Sequence, residues 1–263
     1  AASQLGLPDM GFMDRSDFIS GLERIRRVTK LPMIVDAEDG YGNADQIFWT
    51  FRELARIGVS AAHIEDLKDP LKYRDDVGED NKDRGIRSRL DIGESGVLFT
   101  EREMAGRIRA ALEGSEGHVE VVARCDAKRF GTGRVIELLN GYVDAGATIC
   151  MVAEPYDLDE LQQVASGIEV PLLCCVGVRR DHRAHAHTLA ELSEVGVAGA
   201  LFTATTFFAG VRAMVEVAAL VSDQGNLSVA EMGELLAGFD EINAILDAPG
   251  WYSVSERLAE DMA

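Results

Sequence analysis

Short apolar runs rich in β-branched residues alternate along the chain with longer segments whose apolar positions recur every three to four residues. The short runs predict strands at 32–36, 59–65, 119–124, 147–152, 170–176 and 197–203. The longer ones predict helices at 16–29, 44–57, 100–112, 134–145, 158–166 and 186–195. Arg-Ile-Gly-Val at 56–59, Asp-Ala-Gly-Ala at 144–147 and Glu-Val-Gly-Val at 194–197 repeat one junction: a helix end, a glycine past the C-cap, then a strand start. Alternation of this kind argues for an α/β fold with a parallel sheet.

Two architectures satisfy that pattern, a (β/α)8 TIM-type barrel and an open doubly wound sheet. No Gly-x-Gly-x-x-Gly turn follows any strand, which weakens the open sheet. A closed barrel has eight strands. Since six are visible, one or two are expected ahead of Ala1. The catalytic barrel is assigned to 1–222. Within it, 68–97 is polar, charge-dense and without periodicity, as expected of a gating loop at the active-site mouth. Beyond the last strand the pattern turns helical, at 207–222 and again at 228–246, where Ser228 and Glu231 form a capping box. The extension 223–263 is expected to pack on, or swap with, a neighbouring subunit.

Charge narrows the function. The chain has 263 residues, with 45 acidic against 26 basic, a formal net charge of −19. Such a surface repels phosphate backbones and anionic lipid, so neither a nucleic-acid nor a membrane partner is expected. No stretch reads as a continuous membrane span of about 18 apolar residues, and no secretory signal is visible. The four cysteines, Cys125, Cys150, Cys174 and Cys175, sit in apolar segments at spacings that fit neither a zinc ribbon nor a disulfide framework. They read as reduced core thiols of a cytoplasmic protein.

Asp9, Asp36, Glu38, Asp39, Glu65 and Asp66 concentrate carboxylates at strand ends and loops. Hard divalent cations take oxygen ligands, and Mg2+ keeps several waters while taking one or two carboxylates directly. Asp36 is the natural direct ligand, because a strand end fixes its direction; Glu38, Glu65 and Asp9 would hold metal-bound water. Gly40-Tyr41-Gly42-Asn43 precedes a helix, where backbone N–H groups could meet an anionic substrate, or where Asn43 could simply cap the helix. Arg124 ends an apolar run and needs either an anionic ligand or an ion pair with Glu65 or Asp126. His182, His185 and His187 lie among Arg179, Arg180 and Arg183 and read as a solvated loop.

Gly6-Leu7-Pro8-Asp9, the octet DAEDGYGN at 36–43, HIED at 63–66, ARCDA at 123–127 and Val152-Ala153-Glu154-Pro155 together resemble the isocitrate lyase/phosphoenolpyruvate mutase superfamily. The resemblance implies a (β/α)8 barrel that binds Mg2+ and stabilises the enolate of pyruvate while a C–C or C–P bond is made or broken. It implies Asp36 as direct metal ligand, Asp9, Glu38 and Glu65 as water-mediated ligands, and Arg124 as the grip on the substrate's anionic group. It further implies a swapped C-terminal helix and a dimer of dimers. The loop departs from the family: 68–74 reads Lys-Asp-Pro-Leu-Lys-Tyr-Arg, without the cysteine acid/base of the lyases and with only Glu65, Asp66, Pro70 and a displaced Lys72 of the mutase pattern. Lys72 is the candidate loop acid/base, and in a lyase Lys72, Tyr73 or Arg74 would stand in for the cysteine. The expected substrate is a small anionic 2-oxo or 2-hydroxy carboxylate, handled by mutase, hydrolase or decarboxylase chemistry. A 2-methylisocitrate-type lyase with a substituted loop acid and a non-catalytic metabolite-binding homologue are the alternatives.

Overall fold

The computed structural model describes residues 2–7, 11–68, 98–153, 156–176 and 187–261. All six expected strands are present: β1 (Ile34–Asp36), β2 (Ala61–Glu65), β3 (Glu120–Cys125), β4 (Ile149–Val152), β5 (Leu172–Val176) and β6 (Val197–Phe202). They form one parallel sheet in chain order, each strand paired with its sequence neighbours. With helices in the connections this is a partial TIM-type barrel, six-stranded among the described residues.

The barrel helices are α1 (Ala2–Leu5), α2 (Arg15–Val28), α3 (Ala44–Ile57), α4 (Glu101–Ser115), α5 (Thr132–Asp144), α6 (Leu158–Ser166) and α7 (Leu189–Glu194). Local chemistry sets their limits. Thr100, Asp157 and Thr188 open α4, α6 and α7 with full capping boxes to Glu103, Glu160 and Glu191. Gly58, at φ 82°, closes α3 in the left-handed conformation that a Cβ would strain.

Alternation along the strands separates two apolar layers. Ala62, Ile64, Val121, Ala123, Cys150 and Val152 pack outward against the helices, while Ala61, Val122, Met151 and Leu173 fill the inside of the sheet. Period two then places Glu65 with Ala61, and Arg124 with Val122, on the inner face at the C-terminal ends of their strands.

The ends of β2 and β3 are tied by a buried carboxyl. Asp66 Oδ1 accepts the Asp126 N–H at 2.9 Å and Asp66 Oδ2 accepts the Tyr142 hydroxyl of α5 at 2.8 Å. The Asp66 N–H donates to the Arg124 carbonyl, and the Asp66 carbonyl receives the Phe99 N–H where the chain returns to the barrel. Burial first, and the charge of Asp126 second, push the Asp66 pKa from 3.8 up to about 7 despite its hydrogen bonds.

By its contacts the chain divides at Thr203 into two compact units, Ala1–Thr203 and Ala204–Ala263. The sequence reading put the boundary after 222; by contacts the whole of α8 (Thr205–Gln224) groups with α9 (Val229–Leu235), α10 (Phe239–Ile245) and α11 (Ala248–Asp261). The helix expected over 228–246 is broken: Leu236 is extended and Gly238 starts α10. α8 is also long and apolar enough, by length and composition, to cross a membrane, which corrects the reading that no such stretch exists. Arg212 and Glu216 fall in it, and charges in mid-span are costly in hydrocarbon. An apolar groove of about 580 Å³ lies between Met214, Val217 and Val221 of α8 and Leu235–Leu236.

Two consequences can be measured. Gly114 lets α4 lie against α3, because a Cβ there would stand about 3.0 Å from Phe48 Cα and closer still to its carbonyl. Alanine gains up to about 1 kcal/mol of helix propensity, but overpacking costs about 1–3 kcal/mol. Gly114→Ala should therefore lower the urea midpoint; an unchanged or raised midpoint contradicts the packing argument. For Asp66, a carboxyl whose folded pKa exceeds its unfolded value binds its proton more tightly when folded. The stability this gives is complete below the unfolded value of 3.8 and is lost as pH rises to about 7. With chelator present, wild type should lose stability relative to Asp66→Asn across that window and no further above it; a flat difference overturns the assignment.

Candidate active site

Strand register brings the expected residues together. Asp36 pairs with His63 across β1 and β2, and Glu65 pairs with Arg124 across β2 and β3. The Arg124 guanidinium lies 2.8 Å from Glu65 Oε2, 2.9 Å from Asp126 Oδ1 and 3.8 Å from Asp36 Oδ2. Burial would lower its pKa, but Asp126, Glu65 and Asp36 together hold it well above the ordinary arginine value. Arg124 is thus a permanent cation among three carboxylates. Both ion pairs left open by the sequence are formed.

One oxygen from each of Asp36, Glu38 and Glu65 lies within 4.8 Å of the others. Three hard anionic oxygens converging at strand and loop ends suit Mg2+ or a similar divalent cation better than a soft transition metal. Asp9 and Lys72 lie outside the described residues.

Glu38 stands on a strained turn. Its φ is 51° and that of Tyr41 is 65°, both left-handed without being glycine, at about 1–2 kcal/mol each. Surrounding bonds hold the turn: Asp36 Oδ1 accepts the Glu38 N–H at 2.9 Å, and the Glu38 carbonyl accepts the Glu65 N–H at 2.8 Å. Asp39 Oδ1 accepts the Tyr41 N–H, and the Ala37 carbonyl accepts that of Gly40. The Gly40 and Tyr41 amides are therefore spent inside the loop. Asn43 caps α3 through the Gln46 N–H, and the Tyr41 ring lies 5.2 Å from that of Phe18. Gly40, at φ 92°, has no space for a Cβ, which would meet Ile47 Cγ1 at 2.6 Å. Gly42 is left-handed as well, at φ 137°. The segment from Gly40 to Asn43 shapes the acidic loop.

Two residues at this end, His63 and Arg107, carried no role in the sequence reading. His63 is buried with Nδ1 3.5 Å from Asp36 Oδ1, and it precedes Glu65 by the strand period of two, a signal that could have placed it on the inner face. Asp126 is buried and paired to Arg124. Arg107 of α4 donates to the Asp39 carbonyl at 2.5 Å, a contact no local pattern announces. His187 Nε2 lies 3.0 Å from the Tyr156 carbonyl oxygen, while His182 and His185 lie outside the described residues. Cys175, at the end of β5, packs with the inner layer, and burial raises its thiol to about 11.

The model of the phosphoenolpyruvate phosphomutase family matches residues 1–222. The oxaloacetate decarboxylase of Pseudomonas syringae pv. tomato is 31% identical over 233 residues, covering 87% of this chain and 73% of that protein. Oxaloacetate decarboxylase 1 of Pseudomonas fluorescens is 34% identical over 215 residues, 80% of this chain and 65% of that one. Among solved structures, the phosphoenolpyruvate phosphomutase of Streptomyces platensis subsp. rosaceus superposes with a TM-score of 0.78 at 19% identity, covering 98% of this chain and 84% of that chain. A 2,3-dimethylmalate lyase of the PEP mutase/isocitrate lyase superfamily gives 0.75 at 22%, covering 100% and 83%. With the strand-end carboxylates and Arg124 in place and the family model spanning all six described strands, the chain belongs to the phosphoenolpyruvate phosphomutase family.

Proposed function

We propose that the protein is a Mg2+-dependent enzyme that breaks a C–C bond of a small 2-oxo dicarboxylate, with oxaloacetate the first candidate. The convergence of Asp36, Glu38 and Glu65 beside Arg124 carries this reading. The oxaloacetate decarboxylases among its relatives favour decarboxylation over the C–P chemistry of the mutases. When the C–C bond breaks, its electron pair moves toward the 2-oxo oxygen and negative charge develops there.

Asp36 would bind the cation directly, with Glu38, Glu65 and Asp9 around it. A divalent cation held there supplies a Lewis acid for the 2-oxo oxygen. Arg124 is fixed by Glu65 and Asp126 and cannot lose its proton, so it serves as a constant positive anchor for a substrate carboxylate. His63, against Asp36, restrains that carboxylate's orientation. The inner layer of Val122, Met151 and Leu173 closes the floor below the site and keeps water from that side. Lys72 remains our candidate for moving a proton from the loop.

The exposed apolar side chains of the C-terminal unit, among them Phe208, Met214, Val215, Phe239 and Trp251, fit burial against a second copy of the chain, in a dimer of dimers. Four free cysteines suit a reducing cytoplasm.

The decisive assay offers oxaloacetate, phosphonopyruvate and 2-methylisocitrate to the protein with Mg2+ and with chelator. Mg2+-dependent pyruvate release from oxaloacetate is expected. Asp36→Ala should lower kcat/KM by about 10²–10³-fold, the range for losing one group that stabilises oxyanion charge. Turnover that survives chelator, or survives Asp36→Ala, sinks the metal assignment; tight binding without turnover favours a metabolite-binding homologue.

A further inference from the structure

The turn that carries Glu38 is held from a distant part of the chain. Glu38 is bonded at its own N–H and carbonyl to Asp36 and Glu65, while the Asp39–Gly40 peptide beyond it, whose N–H goes to the Ala37 carbonyl, is held at its carbonyl by another element. There the Asp39 carbonyl accepts Arg107 Nη1 of α4 at 2.5 Å, and Asp39 Oδ2 lies 3.5 Å from the same nitrogen. The Arg107 guanidinium is largely buried and stacks on the Phe99 ring, 3.7 Å from its centroid. Phe99 is fixed in turn by its N–H to the Asp66 carbonyl.

A planar guanidinium clamped on an aromatic face has little rotational freedom left, so its hydrogen bond holds the acceptor peptide in one orientation. The acceptor is the peptide between the two left-handed residues Glu38 and Tyr41. The bonds to Asp36, Ala37, Asp39 and Glu65 hold the turn locally; without the Arg107 anchor its middle peptide loses its tie to α4, and the Glu38 carboxylate would be held less firmly toward Asp36 and Glu65.

We propose that Arg107, seated on Phe99, is a positioning residue that presents Glu38 to the Asp36–Glu65 pair and so sets the affinity of the site for a divalent cation. The inference rests on the metal reading above. It concerns a residue that touches neither cation nor substrate, and its effect is read in binding rather than in turnover.

The test is Mn2+ titration by calorimetry on the full chain, for wild type, Arg107→Gln, Arg107→Lys and Phe99→Leu. It is joined to amide hydrogen exchange of the 36–43 segment in chelator. Arg107→Gln should weaken Mn2+ binding about 10-fold or more, the scale seen when a ligand loses its outer support. Exchange should quicken selectively at 36–43, and the melting temperature in chelator should change little. Arg107→Lys keeps a donor and should recover part of the affinity; Phe99→Leu should weaken binding in the same direction as Arg107→Gln. If Arg107→Gln fails to fold, the lysine and Phe99 variants decide the matter by the same readings. Wild-type affinity and exchange in the variants overturn this inference alone. Loss of protection spread over the whole barrel overturns it too, since Arg107 would then be merely structural. A wild-type protein that takes up no Mn2+ overturns the metal reading and this inference with it.

Discussion

Charge at the ends of β1, β2 and β3 is the constraint around which this molecule is built. Parallel pairing sets Glu65 beside Arg124 and Asp36 beside His63, one strand period earlier on the same face, and the chain adds Glu38 and Asp126 beside them. Removing ions from water costs several kcal/mol apiece unless partners compensate. Arg124 compensates Glu65 and Asp126, both almost fully buried, and reaches toward Asp36 at 3.8 Å. One cation cannot neutralise four carboxylates. The surplus lies on the exposed side, at Asp36 and Glu38, where a cation arriving from solvent can offset it. The acidic loop is therefore a cost to the protein by itself and, under the metal reading, the source of its affinity for a cation.

That cost is borne by structure further out. Asp66 and Tyr142 pin the end of β3 under Arg124 through the Asp126 amide. Arg107 and Phe99 pin the turn under Glu38. The two pins meet at Asp66, whose carboxyl accepts from Asp126 and Tyr142 and whose carbonyl receives the Phe99 N–H, so the ends of β2 and β3, the acidic turn and α4 form one bonded unit. Arginine and acidic turn are placed by the same buried framework.

Much of this was legible in the sequence, for local reasons. Strand candidates were bounded by glycine junctions such as Gly58 and Gly196, and all six appear within two residues of their expected starts. Asp36, Glu65 and Arg124 were placed because a polar residue closing an apolar run in a parallel sheet has one face to occupy. The misses share another cause. Arg107 belongs to an ordinary amphipathic helix, and its partner Asp39 stands 68 residues away. Tyr142 reads as a core aromatic of α5, and only the fold brings its hydroxyl to Asp66. Gly40 and Tyr41 looked able to cradle an anion, since nothing local says that Ala37 and Asp39 already take their N–H groups. Periodicity finds elements and strand ends; it does not find bonds that close between distant elements.

The same charge arithmetic bears on substrate choice. A chain of net charge −19 repels a dicarboxylate at long range, and the four site carboxylates outweigh Arg124 at short range. Screening shortens the first effect to about 8–10 Å at ordinary ionic strength but leaves the second nearly intact. Under the metal reading, an anion finds favourable potential only where a cation and Arg124 lie together. A 2-oxo carboxylate fits such a pair because it offers a neutral carbonyl oxygen next to a full negative charge. A lone anionic group without that carbonyl would meet Arg124 still flanked by Glu65 and Asp126, with less to gain from the exchange. Under the metal reading, selectivity for 2-oxo acids can therefore arise from the electrostatics of the barrel end itself.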